Sequence, residues 1–254
     1  MSIGSPARSG PISERAPQSK RDAGWTLYGA LSGAPAMRDV TPTAVVFDLG
    51  GVLIEWDPRN LYRKLFDDPD EMESFLAEVT TAEWNAYQDA GRPWAEAIEL
   101  LVAEHPERRE LIEAFHGRWP EMLAGEVPGT VEVLADLRAA GLRLLALSNW
   151  SAEMFPVARA QFDFLKWFEG IVISGEVGIA KPDRLIFEHL IERFGIEPET
   201  ALFIDDSSAN VLTASVLGFH AIQFTDAAAL RLELVRRALL PGFPGSRAMA
   251  RTKP

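Results

Sequence analysis

Three short apolar runs each end in residues able to do chemistry. "AVVF" runs into Asp48, "LRLLAL" into Ser148 and Asn149, and "ALFI" into Asp205 and Asp206. Lys181 lies in the loop "GEVGIAKPDR", after a further run, "GIVIS". If these ends converge, three carboxylates, one ammonium and a hydroxyl share one small volume. Like charges that close repel and resist ionisation together. A divalent cation and Lys181 would offset them. Oxygen ligands without cysteine or a histidine pair suit Mg²⁺, with Asp48, Asp205 and Asp206 as the metal-ligating candidates. Singly, each group has an ordinary structural role open to it. Asp48 could mark a turn before Gly50–Gly51, Ser148–Asn149 or Asp205–Asp206 could cap a helix, and Lys181 could be a solvated loop residue. The combination is what points to a site.

Convergence requires the runs to be parallel strands, whose carboxyl ends meet at one edge. A weaker run, "HAIQF", fits a fifth strand beside "GIVIS" and the three above. Helical patterns separate them. "TVEVLADLRAAG" ends in Gly141, "RLIFEHLIERFG" ends in Gly195, and "ANVLTASVLG" follows the third run; a glycine is a good helix stop. Strands alternating with helices of this length predict an α/β protein with a Rossmann-like parallel sheet covered on both faces.

From Pro58 to Glu126 the alternation fails. "NLYRKLF", "EMESFLAEV", "AEWNAYQDAG", "WAEAIELLVAEH" and "RRELIEAFHGRW" all have amphipathic helical spacing, with no convincing strand among them. The expected organisation is a core of residues 41–57 and 127–240 with a helical cap, residues 58–126, inserted after the first strand. Ligands of open α/β sheets sit at that edge, so the cap would cover the site; the alternative is that these helices extend the core. Within "TTAEWNAYQDAGRPW", Trp84 and Gln88 share a helical face, with Asn85 and Asp89 beside them. An aromatic surface next to amides and a carboxylate could read a sugar or a small acid, or the helix could simply bury its tryptophan. Arg59, Arg63, Arg92, Arg118 and Trp119 are secondary candidates.

The four segments "FDLGGVL", "ALSNWS", "AKPD" and "FIDDSSANV", in this order, resemble the motifs of haloacid dehalogenase superfamily hydrolases, and the helical insertion resembles that of the helical-cap subgroup. The resemblance covers about residues 43–240. It implies that Asp48 is a nucleophile forming a covalent aspartyl intermediate. Ser148 and the backbone N–H of Asn149 would bind a phosphoryl oxygen, and Lys181 would neutralise both partners. Asp206 would bind Mg²⁺ directly, Asp205 directly or through water, and Gly50 through its carbonyl. The chemistry is coherent, because a carboxylate attacks a phosphate dianion only when a cation removes the repulsion. Glycines after Asp48, Gly51 included, would let backbone N–H groups approach the phosphoryl group.

One position departs from the pattern. Many phosphatases of the superfamily carry a second aspartate, the proton carrier, where this chain has Gly50. General acid–base help is worth ~10²–10⁴-fold. Three readings follow. The first is a phosphatase of small phosphate esters, sugar phosphates among them, whose proton comes from Asp89, His116 or water; superfamily sugar-phosphate phosphatases with glycine there resemble this chain. The second is a 2-haloacid dehalogenase, whose halide leaves without a proton but which needs no Mg²⁺. The third is a weakly active binding or regulatory protein.

Composition bounds the rest. The 254 residues are 47% hydrophobic and 24% charged, a globular balance, and include no cysteine, which excludes disulfides and thiolate metal sites. A net charge of -12 without a long basic stretch argues against nucleic acid as a partner. No apolar run approaches the roughly 20 residues that span a bilayer, and no apolar block follows the basic N-terminus, so a cytoplasmic protein is expected. The implied partner is a small phosphate ester or organic acid, and no feature specifies an oligomeric state. Residues 1–40 and 241–254, rich in Ser, Pro, Gly and Arg, are expected to be unstructured tails; Met37 sits just before the first strand and could itself be the start.

Overall fold

The computed structural model describes residues 42–241, so the expected tails, residues 1–40 and 241–254, lie outside the described residues except for residue 241. In chain order the elements are β1 (Ala44–Phe47), β2 (Ile54–Trp56), α1 (Arg59–Tyr62), α2 (Pro69–Glu78), α3 (Ala82–Asp89), α4 (Trp94–Glu104), α5 (Arg109–Gly117) and β3 (Leu123–Glu126). They continue with α6 (Thr130–Ala139), β4 (Arg143–Ser148), α7 (Phe155–Gln161), β5 (Gly170–Ile173), α8 (Ser174–Val177), α9 (Arg184–Phe194), β6 (Ala201–Asp205), α10 (Ser208–Val216), β7 (His220–Gln223) and α11 (Ala227–Arg236).

Five strands form a parallel sheet in the order β5-β4-β1-β6-β7. All five correspond to the apolar runs in the sequence. The chain lays strands outward from β1 through β4 to β5, then crosses to the other side for β6 and β7. That reversal makes the crevice between β1 and β6 a switch point, where open α/β sheets place ligands. Both faces are buried, as continuous apolar strands predict. Val45, Phe47, Ala146 and Ile204 face α6 and α11 through Val133, Leu137 and Leu234. Val46, Leu145 and Phe203 face α9 through Ile186, Phe187 and Leu190.

The helices begin and end where local chemistry favours it. Asp68 caps α2 by accepting from Asp70 N, with Pro69 at the first helical position, and Thr81 caps α3 by accepting from Trp84 N (3.0 Å). Gly195 ends α9 at a φ of 57°, a left-handed conformation that costs glycine little.

The segment between β1 and α6 is helical apart from one pair of strands. β2 and β3 pair antiparallel at its two ends, and the ladder extends through Asp57 N to Met122 O (3.0 Å) and Val127 N to Leu53 O (3.0 Å). This ribbon departs from the all-helical expectation. Its strands are too short to show a period, and their pairing is set by the return of the chain after the whole helical segment. "NLYRKLF" likewise forms only the single turn of α1 before breaking into turns. The helices pack through Tyr62, Phe75, Trp94, Phe115 and Trp119 into the same apolar cluster as one face of the sheet. Among the described residues, no helix is long and apolar enough to cross a membrane.

Candidate active site

The register of the sheet assembles the site. Phe47 is level with Ala146 on β4 and Ile204 on β6, so Asp48 emerges beside Asp205 and one residue short of Ser148. Asp48 N still donates to Ile204 O (2.8 Å), which holds the residue in the ladder as its side chain leaves it. Asp48 Oδ1 accepts from Leu49 N (2.7 Å) and from Ser148 Oγ (2.7 Å).

Lys181 binds the strand ends together. Its Nζ lies 3.0 Å from Asp48 Oδ2 and donates to Asp205 Oδ2 (2.6 Å) and Leu147 O (2.8 Å). These three partners use all three ammonium protons, which is what a lysine only 4% exposed requires. Its backbone is fixed by Asn149, whose Oδ1 accepts from Lys181 N (2.8 Å) while Nδ2 donates to Lys181 O (2.9 Å). This clamp is a second use of Asn149, beyond the backbone donor expected from the sequence. Asp205, fully buried, also accepts from Ser207 N (2.9 Å) and from Asn210 Nδ2 (2.9 and 3.1 Å). Asn210 carries no signal in the sequence beyond lying one turn into the helix after Asp206.

Burial pushes the Asp48 carboxyl up to about 6; Lys181 opposes this, and the charge on Asp205 adds to it. Asp206 is raised for the same leading reason, burial, followed by the Asp205 charge. Oxygens of Asp48, Asp205 and Asp206 lie within 4.8 Å of one another. An all-oxygen set with one exposed member, Asp206, fits a hard divalent cation. Asp205, whose two oxygens already accept from Lys181, Ser207 and Asn210, is better placed to act through water than directly.

The two glycines after Leu49 do different work. Gly51 has φ +73°, and a Cβ there would stand 2.5 Å from Asp206 Oδ2. Its N–H donates to Ile54 O (3.0 Å), so it is not free for a phosphoryl oxygen as expected; the closing of the turn onto β2 takes it. A Cβ on Gly50 would meet nothing within 4 Å, so residue 50 has room for a side chain. Gly51→Ala is therefore expected to destabilise the fold by about 1–3 kcal/mol, through the left-handed backbone and the displaced carboxylate. Gly50→Ala should change stability far less. Thermal unfolding of the two variants measures the difference.

Beside these groups lies a cavity of about 280 Å³, lined by Gly50, Gly51, Asn149, Ser151 and Asp206 from the strand ends and by Asn85, Asp89, Trp56, Trp119 and Trp150. The helical segment thus supplies one wall. The pairs read from the sequence divide between two environments. Asn85 and Asp89 face the cavity, with Asn85 Nδ2 donating to Asp89 Oδ2 (3.1 Å). Trp84 and Gln88, about 100° around the same helix, are packed behind it. Trp84 meets the rings of Trp94 and Phe115, with centroids 5.6 and 5.2 Å away. Gln88 donates to Trp84 O (2.8 Å) and accepts from Arg92 Nε (2.7 Å). One helix cannot present both faces to one cavity. Arg59 is paired with Glu73 and Arg118 with Glu121, and neither lines the cavity.

Trp56 has no distinguishing mark in the sequence; it enters through the unforeseen ribbon. Trp119 and Trp150 meet across the cavity wall with ring centroids 5.5 Å apart. Trp56 Nε1, Trp150 Nε1 and Asn85 Oδ1 are buried without a hydrogen-bond partner among the described residues. Such groups are costly unless a ligand or water pairs them.

Comparison with known proteins agrees with this geometry. The family model of haloacid dehalogenase-like hydrolases matches residues 42–218. The chain is similar to acyl-CoA dehydrogenase family member 10 of Mus musculus, 29% identical over 83% of this chain but only 20% of that protein's length. It is also similar to the sesquiterpene phosphatase astK of Aspergillus oryzae, 24% identical over 75% of this chain and 94% of that one. Among solved structures, a HAD family enzyme of Bacteroides thetaiotaomicron in a magnesium complex superposes with a TM-score of 0.60, at 23% identity, over 77% of this chain and 98% of that one. A dehalogenase with an intermediate complex superposes with a TM-score of 0.58, at 20% identity, over 73% and 85%. At such identities the structures show the common fold, whereas the family match spans Asp48, Ser148, Lys181 and the Asp205–Asp206 pair. The chain belongs to the haloacid dehalogenase-like hydrolases.

Proposed function

We propose that the protein is a Mg²⁺-dependent phosphatase of small phosphate esters, sugar phosphates among them, with Asp48 as nucleophile and the α1–α5 segment as its cap. The observation that carries this reading is the triad of carboxylates around Lys181. A metal-independent dehalogenase has no use for a third, exposed carboxylate, Asp206, within 4.8 Å of the nucleophile's. The similarity to a phosphatase over nearly that protein's whole length supports the same choice.

In the first step an Asp48 oxygen forms a bond to phosphorus, the ester P–O bond breaks, and the leaving oxygen gains a proton. In the second, water attacks phosphorus, the Asp48–phosphorus bond breaks, and phosphate leaves with Asp48 regenerated. Ser148, now bonded to Asp48, would turn its hydroxyl to a phosphoryl oxygen. Lys181 offsets charge on the nucleophile throughout. Mg²⁺, held by Asp48, Asp206 and the Gly50 carbonyl with Asp205 behind, would offset the charge of the phosphoryl group. The rest of the ester would lie between Trp56, Trp119 and Trp150. With Asn85 and Asn149 beside these rings, the lining suits a leaving group both apolar and hydroxylated.

A panel of alkyl and aryl phosphates and 2-haloacids, assayed with Mg²⁺ and with EDTA, tests the proposal. Phosphate release that EDTA suppresses by at least about 10²-fold is expected. Halide release indifferent to EDTA, without phosphate release, would overturn it.

A further inference from the structure

Breaking an alkyl ester leaves an alkoxide, and an alkoxide needs a proton at the moment it departs. Gly50 cannot supply it. Only two ionisable side chains line the cavity among the described residues, Asp206 and Asp89. Asp206 belongs to the carboxylate cluster with Asp48 and Asp205. His116, the other side chain that could carry the proton besides water, has its ring against Trp94, with centroids 5.3 Å apart, and does not line the cavity. Among the side chains, Asp89 is left.

The surroundings of Asp89 hold it in place. It is the last residue of α3, and its carbonyl accepts from Ser174 Oγ, which is also the acceptor for Trp150 N (2.9 Å). One fully buried hydroxyl therefore ties the end of α3 to the loop that follows β4. The close approach of that loop depends on Gly175, where a Cβ would stand 2.5 Å from Ala152 N. Asn85 Nδ2 orients Asp89 Oδ2. Among the described residues, no cation neutralises the carboxylate. Arg92 is turned to Gln88 Oε1 and Trp84 O, and Lys181 has its protons on Asp48, Asp205 and Leu147. From α8 comes Ser174, and Asp48 is the charge that acts on Asp89.

On the phosphatase reading, we infer that Asp89 is the general acid–base of the reaction, protonating the leaving oxygen in the first step and taking a proton from the attacking water in the second. The proton balance closes: Asp89 gives one proton to the alkoxide and recovers one from water. Burial, with the Asp48 charge adding to it and the Ser151 N–H opposing, moves the Asp89 carboxyl up to about 7, so both of its forms are populated near neutral pH. The proton carrier thus comes from the helical segment and not from the nucleophile's own loop.

The test uses leaving groups of different basicity. p-Nitrophenyl phosphate releases a stable phenolate and needs no acid in the first step; the best alkyl phosphate of the panel needs one. Asp89→Asn is expected to keep the pre-steady-state burst of nitrophenolate within about tenfold of wild type. It should form the aspartyl-phosphate from the alkyl ester ~10²–10⁴-fold more slowly. Equal losses on the two esters, or no loss on the alkyl ester, would overturn the assignment, because a residue that only packs the wall does not sense leaving-group basicity. Adding Gly50→Asp, for which residue 50 has open space, should recover alkyl-ester turnover at least about tenfold. A double variant no faster than Asp89→Asn would count against it. Failure of the wild type to hydrolyse any ester would instead strike the phosphatase reading itself, without any variant.

Discussion

Asp48→Asn is expected to lower turnover by about 10⁴-fold or more, a loss of at least about 5.5 kcal/mol of transition-state stabilisation. The amide is nearly isosteric and can keep the contacts with Leu49 N and Ser148 Oγ through its oxygen. What it lacks is the electron pair and charge needed to bond to phosphorus, so no covalent intermediate forms. The substitution also removes one of three clustered carboxylates, which relieves repulsion with Asp205 and Asp206. The amide also turns a donor toward Lys181 Nζ, 3.0 Å from the Asp48 Oδ2 position, so the relieved repulsion and the lost ion pair act in opposite directions on stability. Acid-quenched reactions with labelled substrate, run below the melting temperature of both proteins, should yield a phosphorylated chain from wild type and none from the variant. A labelled variant would identify a different nucleophile.

Lys181→Met should lose both activity and stability. Removing one partner from a buried charge cluster costs about 3–5 kcal/mol, because the charges left behind have neither water nor a counter-ion. Here the charges left behind are Asp48 and the fully buried Asp205. The sign of the pH dependence follows. Asp48 already titrates above the usual carboxylate range, and without Lys181 it would move higher. A carboxyl whose pKa is raised by folding binds more protons in the native state, so stability falls as pH rises through that range. The deficit of Lys181→Met should be largest above about pH 6 and shrink as the medium is acidified, as long as the fold itself persists. A divalent cation, supplying the missing positive charge, should recover part of the melting temperature. Unfolding curves at several pH values, with and without Mg²⁺, measure both effects. A deficit independent of pH and metal would mean that Lys181 acts through packing alone.

Much of this arrangement is legible in the sequence for simple reasons. A strand buried on both faces is a continuous apolar run, and each of the five runs forms a strand of the sheet. A residue that must leave such a strand and do chemistry is polar, so Asp48, Ser148, Asp205 and Asp206 stand out by contrast. Lys181 is recognisable only through its place in a motif, since one lysine in a loop carries no local sign that it will be 4% exposed. Its burial depends on three acceptors from three separate strand ends, and on the Asn149 side chain that clamps its backbone.

The less legible parts are those fixed by distance along the chain. Trp56 reaches the cavity because residues 54–56 pair with residues 123–126 across the whole helical segment. On α3, spacing alone shows that Trp84 goes with Gln88 and Asn85 with Asp89, but not which pair is turned inward. Packing decides it: the larger apolar surface of Trp84 goes to Trp94 and Phe115, and the smaller polar pair is left to the cavity.

By itself, then, the sequence determined the alternation of strands and helices, the position of the helical segment after the first strand, and the identity of the polar groups at the strand ends. These follow from local periodicity and from the contrast between apolar runs and what interrupts them. Only the tertiary structure decided the neighbours. It set Asp48 level with Asp205 through the register of parallel strands, closed the turn at Gly51 against Asp206, and brought Asp89 to the same cavity as Gly50. Register and helix rotation are settled by burial summed over the whole core, which no single stretch of chain contains.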